Sequence, residues 1–345
     1  MRELLRAGVI GAGMMGRNHV RVWDELVDGV ELVAVADPDG GALGRAIAGR
    51  RARGYDDAAR MLTEESLDLV SIVAPTSLHL SVTLEALRGG ANVLVEKPIA
   101  STREEAERMI EAAAEAGRML TVGHIERFNP VVRELGRRLA DHELGRVFQI
   151  DTTRLGPFPA RIRDVGVVVD LAPHDLDVMR YLIGSEPIRV YAETERRIHT
   201  EHEDLFVGMM KFANGVVGVL NINWLTPTKR RTLTVTGERG MYVADYIAQD
   251  LVFYANPDAA ETWINPGATG TITSVAEGEM TRRAIHRQEP LAVELGEFAA
   301  AVRDGGPPPV EPHDAMVALL LARKMVESAL TGRVLAGAEL AEALS

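Results

Sequence analysis

The chain of 345 residues contains no cysteine. Disulfide frameworks, cysteine-ligated zinc, iron–sulfur clusters and thiol nucleophiles are therefore excluded. Long apolar runs are missing too: a stretch such as Met316–Ala322 falls far short of the roughly 20 residues a membrane helix needs. A strand-like run follows Met1-Arg2-Glu3 almost at once, so no signal peptide is expected. Positive charge is in deficit, with 38 basic against 50 acidic residues and a net charge of −12. That balance argues against a general grip on nucleic acid. Lysine is scarcer still, at four of the 38 basic residues. What remains, 46% apolar and 26% charged, is ordinary for a globular chain, and the length suggests two domains. The expectation is a cytoplasmic protein with neither membrane nor nucleic-acid partners.

Up to residue 122, short apolar runs alternate with helical patterns. Leu4–Ile10, Glu31–Ala36, Leu67–Val73, Asn92–Val95 and Met119–Val122 read as buried strands. His19–Leu26 and Leu78–Leu87 read as helices. Ser101-Thr102-Arg103-Glu104 reads as a capping box opening a helix through Ala114. This alternation predicts a parallel sheet with helices on both faces. After residue 122 the pattern changes. Pro130–Leu139, Val167–Ile183, Leu291–Arg303 and His313–Thr331 are helical, Val147–Thr153 is a strand, and Ile188–Tyr254 is mostly strand. Turn signals at Ala213-Asn214-Gly215 and Gly237-Glu238-Arg239-Gly240 predict antiparallel pairing, so the second half reads as α+β. Residues 255–280 read as a long loop.

Gly11-Ala12-Gly13-Met14-Met15-Gly16 follows the first strand and opens the first helix. Gly11 permits the tight turn, Gly13 lets a pyrophosphate approach bare backbone, and Gly16 brings helix and strand together. Asp37 stands 21 residues past Gly16, at the end of the second strand. There a carboxylate accepts hydrogen bonds from adenosine ribose hydroxyls and repels a 2′-phosphate, which favours NAD over NADP. The plain alternative is a structural glycine turn.

Lys97, in Glu96-Lys97-Pro98, goes against the chain's preference for arginine and follows the fourth strand, at the sheet edge where ligands bind. A loop ion pair between Glu96 and Lys97 is the alternative. Asp170 and His174 are four apart, hence on one face of a helix, and a neutral imidazole is a suitable base for a hydroxyl proton. Pro173 lies between them and lacks an N–H, so the helix is expected either to start near it or to be locally distorted. Zinc ligation by Asp170, His174 and Asp177 lacks a further ligand at a convincing spacing, so no metal is expected.

Together, the fingerprint, Glu96-Lys97-Pro98 and Asp170…His174 resemble the Gfo/Idh/MocA oxidoreductases. The resemblance extends to the closing helix with Gly332-Arg333-Val334. It implies an N-terminal Rossmann domain over 1–122 and a C-terminal substrate-binding and oligomerisation α+β domain over 123–345, with the terminal helix as a candidate to pack back on the first domain. The C-terminal domain would carry a large, mostly antiparallel open sheet, buried in a homodimer or homotetramer. It also implies catalysis by Lys97, Asp170 and His174. Cofactor contacts would come from Gly11, Gly13, Met14, Met15, Gly16, Asp37, Ala74, Pro75, Thr76, His79, Glu96 and Lys97, with His19 and His124 near the cofactor. The other histidines read as surface or packing residues.

A narrower likeness lies in Gly123-His124-Ile125-Glu126-Arg127-Phe128-Asn129-Pro130, Arg154–Pro159 and Asn223–Pro227. These segments are similar to the UDP-N-acetylglucosamine 3-dehydrogenase branch. They imply a UDP-sugar substrate whose 3-hydroxyl is oxidised. Arg127, Arg154, Arg161 and Arg163 are then candidates for the diphosphate, Phe128 for the uracil, and Glu126 for the same site. For any single arginine, a solvated salt bridge is the alternative. Rival functions are a dehydrogenase of free cyclitols or hexoses and a non-catalytic NAD-binding regulator.

Overall fold

The computed structural model describes residues 4–159, 165–199, 201–257 and 278–344. They form two units, 1–128 with 288–320 and 129–287 with 321–345, so the first boundary lies beyond the expected 122/123.

In the first unit, β1 (Leu5–Ile10), β2 (Val30–Ala36), β3 (Arg53–Tyr55), β4 (Leu69–Ile72), β5 (Asn92–Glu96) and β6 (Leu120–Gly123) form one sheet. All its pairs are parallel, in the order β3-β2-β1-β4-β5-β6. Helices α1 (Met14–Glu25), α2 (Gly40–Ile47), α3 (Ala58–Glu64), α4 (His79–Arg88) and α5 (Arg103–Ala116) connect the strands. The order reverses between β1 and β4, and the crevice at such a switch point is where open α/β sheets hold ligands. The expected Rossmann sheet is what the chain forms. Hydrophobic patterning did not reveal β3, α2 or α3. Each of these helices is short and owes its start to an aspartate: Asp39 accepts from the amides of Gly41 and Ala42, and Asp57 from that of Arg60. The capping box of α5 also sits one residue later than expected. Thr102, not Ser101, accepts from the amide at the third helical position, that of Glu105.

The second unit opens with α6 (Pro130–Ala140), β7 (Val147–Pro157) and α7 (Val167–Ile183). There follow β8 (Pro187–Glu195), β9 (Leu205–Phe212), β10 (Val217–Asn223), β11 (Leu225–Gly237), β12 (Gly240–Asp245), β13 (Asp250–Ala255) and β14 (Met280–Arg283). With α8 (Pro290–Asp304), α9 (Pro312–Thr331), β15 (Leu335–Ala336) and α10 (Ala338–Leu344) the chain closes. Among the described residues the second sheet has nine strands, ordered β14-β13-β12-β11-β7-β10-β9-β8-β15. Its pairs are antiparallel except β7 with β10, so the expected large, mostly antiparallel sheet is present. Helix α7 packs on β7, β9 and β10, burying Leu176 and Met179 with Leu220 and Ile222. The β7–β11 ladder is interrupted: Leu225 pairs with Pro157 and Arg230 with Leu155, so Thr226–Lys229 stand opposite Gly156 alone.

Helix α8 belongs to the first unit. Its Leu291, Leu295 and Phe298 complete the core formed by Val9, Val35, Leu69 and Trp23. The rings of Trp23 and Phe298 lie 6.4 Å apart, and the Trp23 indole N–H donates to Ser71 Oγ at 2.8 Å.

Candidate active site

At the fingerprint, Gly11 has φ +100, and a Cβ there would come within 2.3 Å of the Val73 carbonyl oxygen. A Cβ on Gly16 would meet the Gly11 carbonyl oxygen at 1.9 Å, whereas Gly13 faces open space. Helix α1 starts at Met14 with no side-chain cap and no acid in its first turn. Its leading amides and dipole therefore remain available to an anion. Asp37 accepts from the amides of Ala12 (2.6 Å) and Asp39 (2.8 Å), which pins its carboxylate beside the loop. This cradle of bare backbone with an ordered acid fits the pyrophosphate and ribose of NAD. Met14 is 59% exposed, and Met15 packs partly against the core.

Along the same sheet edge, Glu96 is wedged between α1 and the next turn. His19, fully buried, donates through Nε2 to Glu96 Oε1 at 3.1 Å, and the Lys97 amide donates to Glu96 Oε2 at 3.1 Å. Burial pushes the Glu96 carboxyl upward, but the His19 hydrogen bond and the charges of His19 and Lys97 outweigh it and hold the group below the usual carboxylate range. The Lys97–Pro98 peptide is cis, and Lys97 is half-buried. His79 is buried, with Nδ1 3.0 Å from the Pro98 oxygen and Nε2 2.9 Å from the Ala74 oxygen. Its ring thus ties the loop Ala74-Pro75-Thr76, after β4, to the turn after β5. His124 is buried as well.

In the second unit, Asp170 and His174 both lie in α7 and are half-buried. The helix runs through Pro173 rather than starting there. Its first amides are met by Glu203, whose carbonyl accepts from Val167 (2.9 Å) and whose carboxylate accepts from Val168 (3.2 Å). Helix capping thus falls to Glu203 and does not account for Asp170. Arg154 donates twice to Asp175, Nε to Oδ2 at 2.9 Å and Nη2 to Oδ1 at 3.0 Å, with both side chains buried. Among the described residues no three metal-ligating side chains gather.

Of the residues expected at the substrate, Arg127 is buried and pairs with Asp314 at 3.1 Å, and Glu126 and Phe128 are buried in the same 3₁₀ turn, Ile125–Phe128. Arg161 and Arg163 lie outside the described residues. A cavity of about 310 Å³ in the second unit is lined by Arg154 to Pro159, Asp170, Leu171, Trp224, Lys229 and Arg231. The rings of Phe158 and Trp224 meet edge to face at 5.9 Å, with Phe158 also 5.6 Å from His199. Sequence reasoning did not single out Lys229 or Arg231. For Lys229 a signal existed, since it is one of only four lysines.

A family model described as an oxidoreductase family with an NAD-binding Rossmann fold matches residues 5–124, and one for the GFO/IDH/MocA C-terminal domain matches 132–243. UDP-N-acetylglucosamine 3-dehydrogenase of Acidithiobacillus ferrooxidans is 29% identical over 86% of this chain and 88% of its own. Its solved structure superimposes with a TM-score of 0.82 at 27% identity, covering 94% and 97% of the two chains. Inositol 2-dehydrogenase 2 of Saccharopolyspora erythraea is 30% identical over 78% of this chain and 86% of its own. The chain belongs to the Gfo/Idh/MocA family and is an NAD-dependent dehydrogenase.

Proposed function

We propose that this dehydrogenase oxidises a secondary hydroxyl, the 3-hydroxyl, of a UDP-linked N-acetylated amino sugar. The observation that carries the reading is the likeness to UDP-N-acetylglucosamine 3-dehydrogenase along 86% of the chain. The cavity supports it, because cations and aromatic rings share its lining with Asp170. A free polyol calls for hydroxyl partners, whereas a diphosphate and a base call for charge and flat apolar surface.

In this reading His174 takes the hydroxyl proton, and Lys97 hydrogen-bonds the same oxygen and stabilises its developing negative charge. Asp170 orients the substrate or His174. Bound NAD supplies the acceptor for the hydride that leaves the sugar carbon. Glu96, held by His19, accepts from the Lys97 amide and so fixes the backbone from which the Lys97 side chain projects.

Identity of 30% to an inositol 2-dehydrogenase favours a second reading, oxidation of a free cyclitol or hexose. Turnover of UDP-N-acetylglucosamine and myo-inositol with NAD, followed at the nicotinamide absorbance, separates the two. If myo-inositol is as good a substrate as any UDP-sugar, the nucleotide-sugar reading fails.

The proposed partner is a second copy of the chain, as a homodimer or homotetramer, and the proposed place of action is the cytoplasm. Ile188 of β8 and Val207 and Met209 of β9 are 50%, 42% and 50% exposed, an apolar set suited to self-association. A monomeric mass by light scattering at micromolar concentration would count against it.

A further inference from the structure

We propose that Lys229 and Arg231 of β11 hold the diphosphate of the nucleotide-linked substrate, in the cavity that also contains Asp170. The inference rests on the nucleotide-sugar reading and names two cations besides the arginines that the sequence brings forward first. Arg154 is the cavity's own example: its guanidinium fork is spent, buried, on both oxygens of Asp175. A second cation faces the same side of the sheet, because Arg231 stands directly opposite Arg154 in the β7–β11 ladder. Arg231 also lines the cavity, where its guanidinium offers charge-assisted donors to phosphate oxygens.

The interruption of the ladder supplies the third cation. Four residues, Thr226–Lys229, face the single residue Gly156, and such bulges re-aim side chains next to active sites. The Lys229 stem lies over Gly156, its Cγ 3.8 Å from where a Cβ there would stand. Lys229 is exposed, and no carboxylate pairs with it among the described residues. The facing wall is apolar, formed by Phe158 and Trp224. Asp170 is the acid of the cavity lining, so a bound diphosphate is favoured at the Lys229–Arg231 side and a sugar hydroxyl at the Asp170 side.

The test is calorimetric titration of the full-length protein with UDP and, as a phosphate-free probe, uridine. Lys229→Gln and Arg231→Gln should each weaken UDP binding by about tenfold and leave uridine binding within about twofold. Lys229→Arg, which keeps the charge, should restore most of the loss. Equal UDP affinity in the wild type and in the double glutamine variant overturns the inference, and so does a parallel loss of UDP and uridine binding. Wild-type turnover decides the underlying reading separately. If a UDP-sugar is oxidised and the variants bind UDP normally, the assignment of these two residues fails alone. If the wild type binds no UDP and oxidises only a free polyol, both fall.

Discussion

Asp37 is fixed by two backbone amides, yet each carboxylate oxygen keeps a lone pair for a ribose hydroxyl. A 2′-phosphate brought to the same place meets like charge. NAD should therefore bind at least tenfold more tightly than NADP, about 1.4 kcal/mol, and Asp37→Ser should narrow the gap. Equal affinities by fluorescence titration would show that the acid contacts neither cofactor. His174→Ala and Lys97→Ala should each slow turnover by roughly a hundredfold or more while NAD binding stays nearly intact. A near-normal rate in either variant would remove that residue from the chemistry. Asp170→Asn should be milder. The fingerprint, Asp37 and Lys97 were legible because each combines a residue type with a required position beside a strand. Lys229 was not, although the scarcity argument used for Lys97 applies to it equally. Lys211 and Lys324 satisfy the same argument, and Lys324 merely pairs with Glu327. Rarity draws attention, and only the fold shows that Lys229 shares a cavity with Asp170.

Helix α7 owes its placement to two acids that the pattern of the sequence does not distinguish. Glu203 caps its start, and Asp175 anchors its middle to β7 through Arg154. Removing one partner of a buried ion pair leaves the other charge uncompensated. Arg154→Ala should thus destabilise the second unit by about 3–5 kcal/mol. Arg154→Leu combined with Asp175→Leu should recover much of that loss. Urea denaturation followed by circular dichroism checks both; a cost below about 1 kcal/mol for the single variant would mean that water reaches the site. At this scale the long helices and strands were readable from periodicity. The three-residue β3 and the glycine-containing α2 were not, since neither is long enough to show a period and α2 depends on the Asp39 cap. The parallel pairing of β7 with β10 was equally hidden, because turn residues report on sequence neighbours and these strands are not neighbours.

Across the whole molecule, several carboxyls sit below their ordinary range. Glu134 is lowered by hydrogen bonds from Arg137 and Arg138. Glu143 is pushed up by burial but lowered further by Tyr242 and Arg138, and Glu96 by His19 and Lys97. An acid held low in the folded chain stabilises it above its unfolded value, and that contribution is lost as pH falls through the folded value. Stability should therefore be level from neutral pH down to about 5 and decline steeply below about 4. Glu96→Gln should flatten part of that decline, since an amide does not titrate. An unchanged slope of melting temperature against pH would show that Glu96 takes no part in it. The net charge of −12 was readable at once, but which acids carry the pH response was not. That depends on partners the fold brings near, such as His19 beside Glu96 and Tyr242 beside Glu143.

The return of residues 288–320 to the first unit sets a timetable for the ribosome. When Phe128 emerges, the sheet is complete, but Trp23 still lacks Phe298, and the face that α8 will cover is open to solvent. Roughly 190 further residues must be made first, which at 5–20 residues per second is about 10–40 s. During that interval a nascent NAD-binding domain exposes an apolar groove shaped for one of its own later helices. A chaperone that binds exposed apolar surface should engage this chain while its second half is still being translated. Ribosome-stalled chains ending near residue 287 should bind it, and chains extended past residue 320 and clear of the exit tunnel should not.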